Sequence, residues 1–261
     1  MSMFFKAQHQ FLCDGMQKII GVFSGKGGVG KTTCALNIAL AIHDMGEKTI
    51  LIDCDLLNAN LGLQLGMYEF PVSLYEILDR EINILEGVHV HSSGLRFIPA
   101  SISFNTFQPD LLKLRDMLTS LNYLVLLDAP SGMGDDVISL IKVCDEIMVI
   151  TNPDMPSVTD AMKIIQVAMD LDRKEIGLII NRVSGKDELR AQDIEKVCKI
   201  PVLGTIPDHK EFKKSLHHKI PIVLRKPHTP PSIEFKRIGA GVVGKNYEPP
   251  RFLRIRQLFS R

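Results

Sequence analysis

Between Ser24 and Thr33 the chain reads SGKGGVGKTT, with glycines at 25, 27, 28 and 30 and lysines at 26 and 31. Gly25, Gly30, Lys31 and Thr32 fill the pattern G-x-x-x-x-G-K-[ST], in which glycines let successive backbone amides curl toward phosphate oxygens. In such a loop Lys31 meets the β- and γ-phosphates of a nucleotide, and the Thr32 hydroxyl helps to coordinate Mg²⁺. The nucleotide-binding candidates are therefore Gly25, Lys26, Gly27, Gly28, Val29, Gly30, Lys31, Thr32 and Thr33. One lysine is enough for this cradle, so Lys26 calls for a separate role. Phosphate chemistry also needs acids beside the metal and its waters. Asp128 closes the run YLVLLDAP, while Asp53 and Asp55 follow KTILIDCD, at what read as the carboxyl ends of buried strands. Asp53, Asp128 and Thr32 are the candidate metal-side residues, the two acids acting through water.

These groups need elements to hold them. Short apolar runs alternate with stretches of helical period, the pattern of parallel strands joined by crossover helices. Strands are predicted at 19–23, 49–52, 95–99, 123–127, 146–150, 176–180 and 202–206. Helices are predicted at 31–45, 109–121, 136–143, 157–172, 188–198 and 211–218, with a short one around 233–239. Ser157 reads as an N-cap, with Asp160 in the first turn. The expected fold class is α/β: a single doubly wound domain with a mostly parallel sheet of about seven or eight strands flanked by helices. It would occupy residues 18–241, between an N-terminal extension at 1–17 and a basic amphipathic tail at 242–261.

A chain of 261 residues with 45% hydrophobic and 23% charged content is ordinary for such a domain. The net charge of +1 conceals an asymmetry, since residues 225–261 carry nine Lys/Arg against two Asp/Glu. The five cysteines, Cys13, Cys34, Cys54, Cys144 and Cys198, form no CxxC pair and read as reduced thiols. There is no signal-peptide pattern, and no apolar run approaches the roughly 18 residues of a spanning helix. The expectation is a cytoplasmic protein attached at most to the inner face of the membrane.

The tail PPRFLRIRQLFSR supports that attachment. On a helical wheel Phe252, Ile255, Leu258 and Phe259 share one face, opposite Arg254, Gln257, Ser260 and Arg261. Phe252, Leu253, Ile255, Leu258 and Phe259 are the candidate membrane contacts, with an anionic lipid surface as partner. One copy binds weakly, and two joined copies bind through avidity. A nucleic acid is the lesser expectation, because phosphate contacts need cations without Phe252 and Phe259. The same pattern also suits a last helix docked on the domain itself.

The stretch GKGGVGKTT resembles the deviant Walker-A ATPases, the MinD/ParA group, in order from about residue 18 to 223. The segment DCDLLNANLGLQLG (53–66) is similar to that family's switch I, DAPSG (128–132) to its switch II, and TNPDMPSVTDAMKII (151–165) to its strand-to-helix segment. The resemblance implies that Lys26 reaches across a dimer interface to the partner's nucleotide. It also implies that Asp55 orients the attacking water and that Asn60 stands in the switch asparagine's place. IINRV (179–183) and PVLGTIPDHKEF (201–212) fall where the family builds its adenine pocket, implicating Asn181, Arg182, Pro207 and Asp208. Lys26, Lys31 and Asp55 are thus the candidate catalytic residues, ATP, ADP and Mg²⁺ the cofactors, and an ATP-dependent homodimer plus an activating effector protein the partners. The MinD branch fits best. A flagellar-number regulator of the FlhG/FleN type and a ParA-type DNA partitioner are the alternatives. An Mrp-type iron–sulfur carrier is disfavoured because the chain has no C-terminal CxxC.

Overall fold

Eight strands form one sheet in the order β3-β4-β2-β5-β1-β6-β7-β8. The computed structural model describes residues 18–100, 109–119, 121–173 and 175–250. The strands are β1 (Lys18–Ser24), β2 (Thr49–Asp53), β3 (His89–Val90), β4 (Arg96–Ile98), β5 (Leu124–Ser131), β6 (Glu146–Thr151), β7 (Ile176–Val183) and β8 (Val202–Pro207). All neighbours pair in parallel except β3, which runs antiparallel to β4 at the edge. The N-terminal extension, Cys13 and the tail residues Phe252, Leu253, Ile255, Leu258 and Phe259 lie outside the described residues.

The central strands are apolar on both faces because each face is covered by helices. Ile19, Ile50, Val125, Ile147 and Leu178 enter one core, with α3 (Leu74–Arg80), α4 (Leu114–Thr119), α5 (Asp135–Val143), α6 (Met155–Asp170) and α7 (Ala191–Cys198). Ile20, Leu51, Leu126, Met148 and Ile179 enter the other, with α1 (Lys31–Asp44), α2 (Leu61–Leu65), α9 (Ile222–Arg225) and α10 (Pro230–Val242). α8 (Glu211–His218) adds Phe212 to the margin of this second core. Burial on this scale, at roughly 25 cal/mol per Å² of apolar surface, is the main force holding the layers together. Among the described residues no helix is long and apolar enough to cross a membrane.

Several boundaries differ from the sequence expectation for local reasons. The helix expected from Ser157 starts at Met155, because the Asp154 carboxylate accepts the Ser157 amide at 2.9 Å and Pro156 suits the first turn. The helix expected from residue 188 starts at Ala191, because Glu188 accepts the amides of Ser184 and Gly185 and holds that stretch in a turn. The expected 109–121 helix is a 3₁₀ turn at Leu111–Lys113 followed by the short α4. β3, α2, α3 and α9 were not anticipated. Of these only α3 has a local start signal, the capping box between Ser73 and Glu76.

Candidate nucleotide site

Strand register puts the acids together. Asp53 pairs directly with Asp128 across β2 and β5. Side chains alternate along a strand, and Leu51 and Leu126 face the core beside α1, so Asp53 and Asp128, each two residues further on, face α1 as well. α1 begins where the loop after β1 ends, and its first residue, Lys31, sets Nζ 2.6 Å from Asp128 Oδ1. Lys31, Asp53 and Asp128 are all buried. The Asp53 carboxylate accepts the amides of Asp55 at 3.2 Å, Asn60 at 3.2 Å and Leu61 at 3.1 Å. It thereby caps α2 from a different element. Asp128 Oδ2 and Ser24 Oγ are buried and have no hydrogen-bond partner.

Crowding sets the electrostatics. Burial, and then the charge of Asp128, push the Asp53 carboxyl up to about 7, against the pull of its backbone donors and Lys31. Burial also raises Asp55, with Lys31 opposing it. The Cys34 and Cys54 thiols are pushed up, mainly by burial, so neither supplies a thiolate nucleophile.

The loop itself is shaped for an anion. Gly30 is the N-cap of α1 with φ 95°, a left-handed conformation that favours glycine, and a Cβ there would strike the Asn181 amide. A Cβ on Gly25 would collide with the backbone of Asp160 in α6. No side chain caps α1, so its first amides and the positive end of its dipole are directed at whatever fills the loop. A cleft of about 430 Å³ opens there, lined by Gly27, Gly28, Gly30, Lys31, Thr32 and Thr33 on one side and Asp55, Asn58 and Asn60 on the other. Val29 is buried beneath it, and Lys26 is exposed.

The residues proposed around the base divide in two. The β7–β8 register slips between Ile180 and Val183, and within that bulge Arg182 takes a left-handed φ of 59°. Arg182 lines the cleft, whereas Asn181 is buried and donates from Nδ2 to the Val29 carbonyl at 2.7 Å, supporting the loop from below. Pro207 pairs with Val183, and the Asp208 amide donates to the Val183 carbonyl at 2.8 Å. These two therefore stand at the ends of the same strand pair but do not line the cleft.

Sequence reasoning did not single out Ser24, Asn58, Gln64 and Ser131, which also line the cleft. Gln64 carried a faint signal as the one polar side chain in the apolar turn LGLQL. Ser24 and Ser131 pair across the ends of β1 and β5, where a small hydroxyl gives no pattern of its own.

The donor set suits Mg²⁺. Thr32, Asp53 and Asp128 offer hard oxygens, and Asp128 Oδ2 is an unsatisfied one. Among the described residues no cluster of three His, Cys, Asp or Glu forms an all-protein metal cage. An ion that is usually held by one or two carboxylates plus phosphates and water needs none.

The family model for the CobQ/CobB/MinD/ParA nucleotide-binding domain matches residues 20–222. The chain belongs to this family. It is 34% identical over 236 residues to an ATP-binding protein of Methanocaldococcus jannaschii, covering 88% of this chain and 89% of that one. The cell division ATPase MinD of Pyrococcus furiosus superposes with a TM-score of 0.81 at 29% identity, over 87% of this chain and 98% of that one. The septum site-determining protein MinD of Pyrococcus horikoshii, complexed with Mg-ADP, does so with a TM-score of 0.80 at 27% identity, over 87% and 96% of the two chains. This MinD/ParA-family chain thus has the MinD-type P-loop fold, and the cleft at the amino end of α1 is its candidate nucleotide site.

Proposed function

We propose that this chain is a MinD-like switch that binds ATP, pairs with a second copy and hydrolyses the nucleotide slowly until an effector protein stimulates it. One observation carries the reading. Inside the chain Asp53, Asp55 and Asp128 share a site with one buried lysine, Lys31, while the second loop lysine, Lys26, is exposed. An exposed cation on a phosphate loop is accessible to a nucleotide held by another copy, which supports this reading. There it would stabilise the charge that develops between the β- and γ-phosphates.

Within one copy the loop amides and Lys31 bind the phosphates. Asp55 orients a water toward the γ-phosphate, and burial of its carboxylate keeps competing solvent away. Thr32, Asp53 and Asp128 would hold Mg²⁺, which when bound neutralises phosphate charge. Arg182 would border the base from the cleft wall, with Pro207 and Asp208 behind it on the same strand pair, and Asn181 supports the loop beneath. The tail residues named above would hold the ATP-bound pair on the inner face of the membrane, where it positions division or other surface machinery.

Lys26→Ala tests the core of this proposal. The variant should still bind Mg-ADP. It should fail to dimerise on ATP, and turnover should fall by about 10³-fold, the scale of a charge supplied in trans. Wild-type dimerisation and turnover in the variant, by light scattering and phosphate release, would overturn it.

A further inference from the structure

The Thr33 hydroxyl, in the first turn of α1 and on the wall of the cleft, donates to Gln64 Oε1 at 3.1 Å. Gln64 belongs to α2, whose amino end is held separately by the Asp53 carboxylate. α2 is therefore tied at one end to β2 and along its side to α1. The segment that carries Asp55, Asn58 and Asn60 to the cleft leads from β2 into α2 and ends at this doubly held helix.

We propose that Gln64 is a positioning residue that keeps α2 tied to Thr33 whether or not the loop is filled, by reversing the direction of this hydrogen bond. The proposal rests on the reading that nucleotide phosphates occupy the loop. A threonine hydroxyl has one proton to give. With no phosphate bound, that proton goes to Gln64 Oε1. A phosphate oxygen at the amino end of α1 is the stronger acceptor and draws the proton to itself, leaving lone pairs on Thr33 Oγ1 facing lone pairs on Gln64 Oε1. A half-turn of the carboxamide, about a torsion that is broad and roughly two-fold, presents Nε2–H to Thr33 Oγ1 and restores the bond in the opposite sense. Each bond then polarises the next, from amide to hydroxyl to phosphate.

Gln64 and Thr33 together border a cavity of about 10 Å³, room for roughly one water, also walled by Asn37, Ser215 and Leu216. Ser215 lines the same cavity, and its Oγ is buried with no hydrogen-bond partner, so a water there can join it to Oε1 once the amide has turned. Neither a glutamate nor an apolar isostere could serve both directions. Glutamate only accepts, and it would add a negative charge beside the phosphate; methionine keeps the volume and makes no strong bond.

The experiment uses the full chain with Mg-ADP, titrated calorimetrically. Gln64→Glu should weaken binding by about 10-fold or more, and Gln64→Met by about fivefold, the scale of one neutral hydrogen bond. In a Thr33→Val background, where there is no hydroxyl to hold, Gln64→Met should have no further effect. The labelled Gln64 side-chain amide should shift in ¹⁵N–¹H spectra on adding Mg-ADP and not on adding adenosine, which has no phosphate. If both Gln64 variants bind Mg-ADP as tightly as the wild type, the inference fails. It also fails if the loss with Gln64→Met persists undiminished beside Thr33→Val, or if the amide is unmoved by Mg-ADP. A wild-type chain that does not bind Mg-ADP removes the nucleotide reading, and this inference with it.

Discussion

The two ends of the sheet both bury acids, and they treat them in opposite ways. At the amino end Glu146 faces Lys18, and Asp145 accepts both Arg115, at 2.7 Å, and the Ile19 amide, at 2.9 Å. Arg115 and Arg173 also donate to the carbonyls of Val143 and Cys144. Each acid there has its own cation. At the carboxyl end Asp53, Asp55 and Asp128 share the single ammonium of Lys31, and Asp53 is driven toward its neutral form. The amino end is a network of paired charges, in which Glu146 Oε2 and Arg173 Nε are the buried side-chain atoms without a hydrogen-bond partner. The carboxyl end instead crowds three carboxylates round one buried ammonium, with Arg182 on the wall of the cleft, a mixture of charges suited to taking up a cation together with phosphate.

This contrast can be broken from either side. The largest effect is expected at the carboxyl end. Lys31→Ala should lower Mg-ADP affinity by about 100-fold, through loss of a buried charged hydrogen-bond partner, and titration calorimetry checks it. At the amino end Asp145→Ala should cost about 1–2 kcal/mol of stability in urea unfolding while leaving nucleotide affinity unchanged. A change in affinity there would show that the two ends are not independent. A further effect is a matter of pH. The folded Asp53 carboxyl titrates near 7 rather than at the ordinary 3.8, so the folded chain holds an extra proton between those values, and stability falls as pH rises across them. Without nucleotide or divalent ions, Asp53→Asn should flatten that decline in Tm between about pH 4 and 7. A variant that tracks the wild type across this window would place the raised carboxyl elsewhere.

How much of this was legible in sequence depended on whether the deciding contact was local. The loop could be read because its chemistry demands consecutive residues. Asp53 and Asp128 could be read because apolar runs end at them. α2 could not. Five residues carry little helical period, and the group that caps it is the Asp53 side chain, which lies eight positions before Leu61. Asn181 was placed near the base by resemblance, but its hydrogen bond to Val29 spans 152 positions. Gln64 likewise acquires its partner only when α2 folds against α1. β3, two residues long, is held by pairing with β4 rather than by any pattern of its own.

α1 and α10 pack against each other, and the chain beyond α10 returns to the end of α1 furthest from the loop. There Lys245 donates to the Met45 carbonyl at 3.1 Å and pairs with Glu47 at 2.6 Å. α1 is 14 residues long, so about 20 Å of rigid rod separates the phosphate cradle from this anchorage. The root of the tail is therefore mounted like a handle on the opposite end of the shaft from the lock. The phosphate cradle and the described root of the tail thus share one helix as their common mount, one at each of its ends.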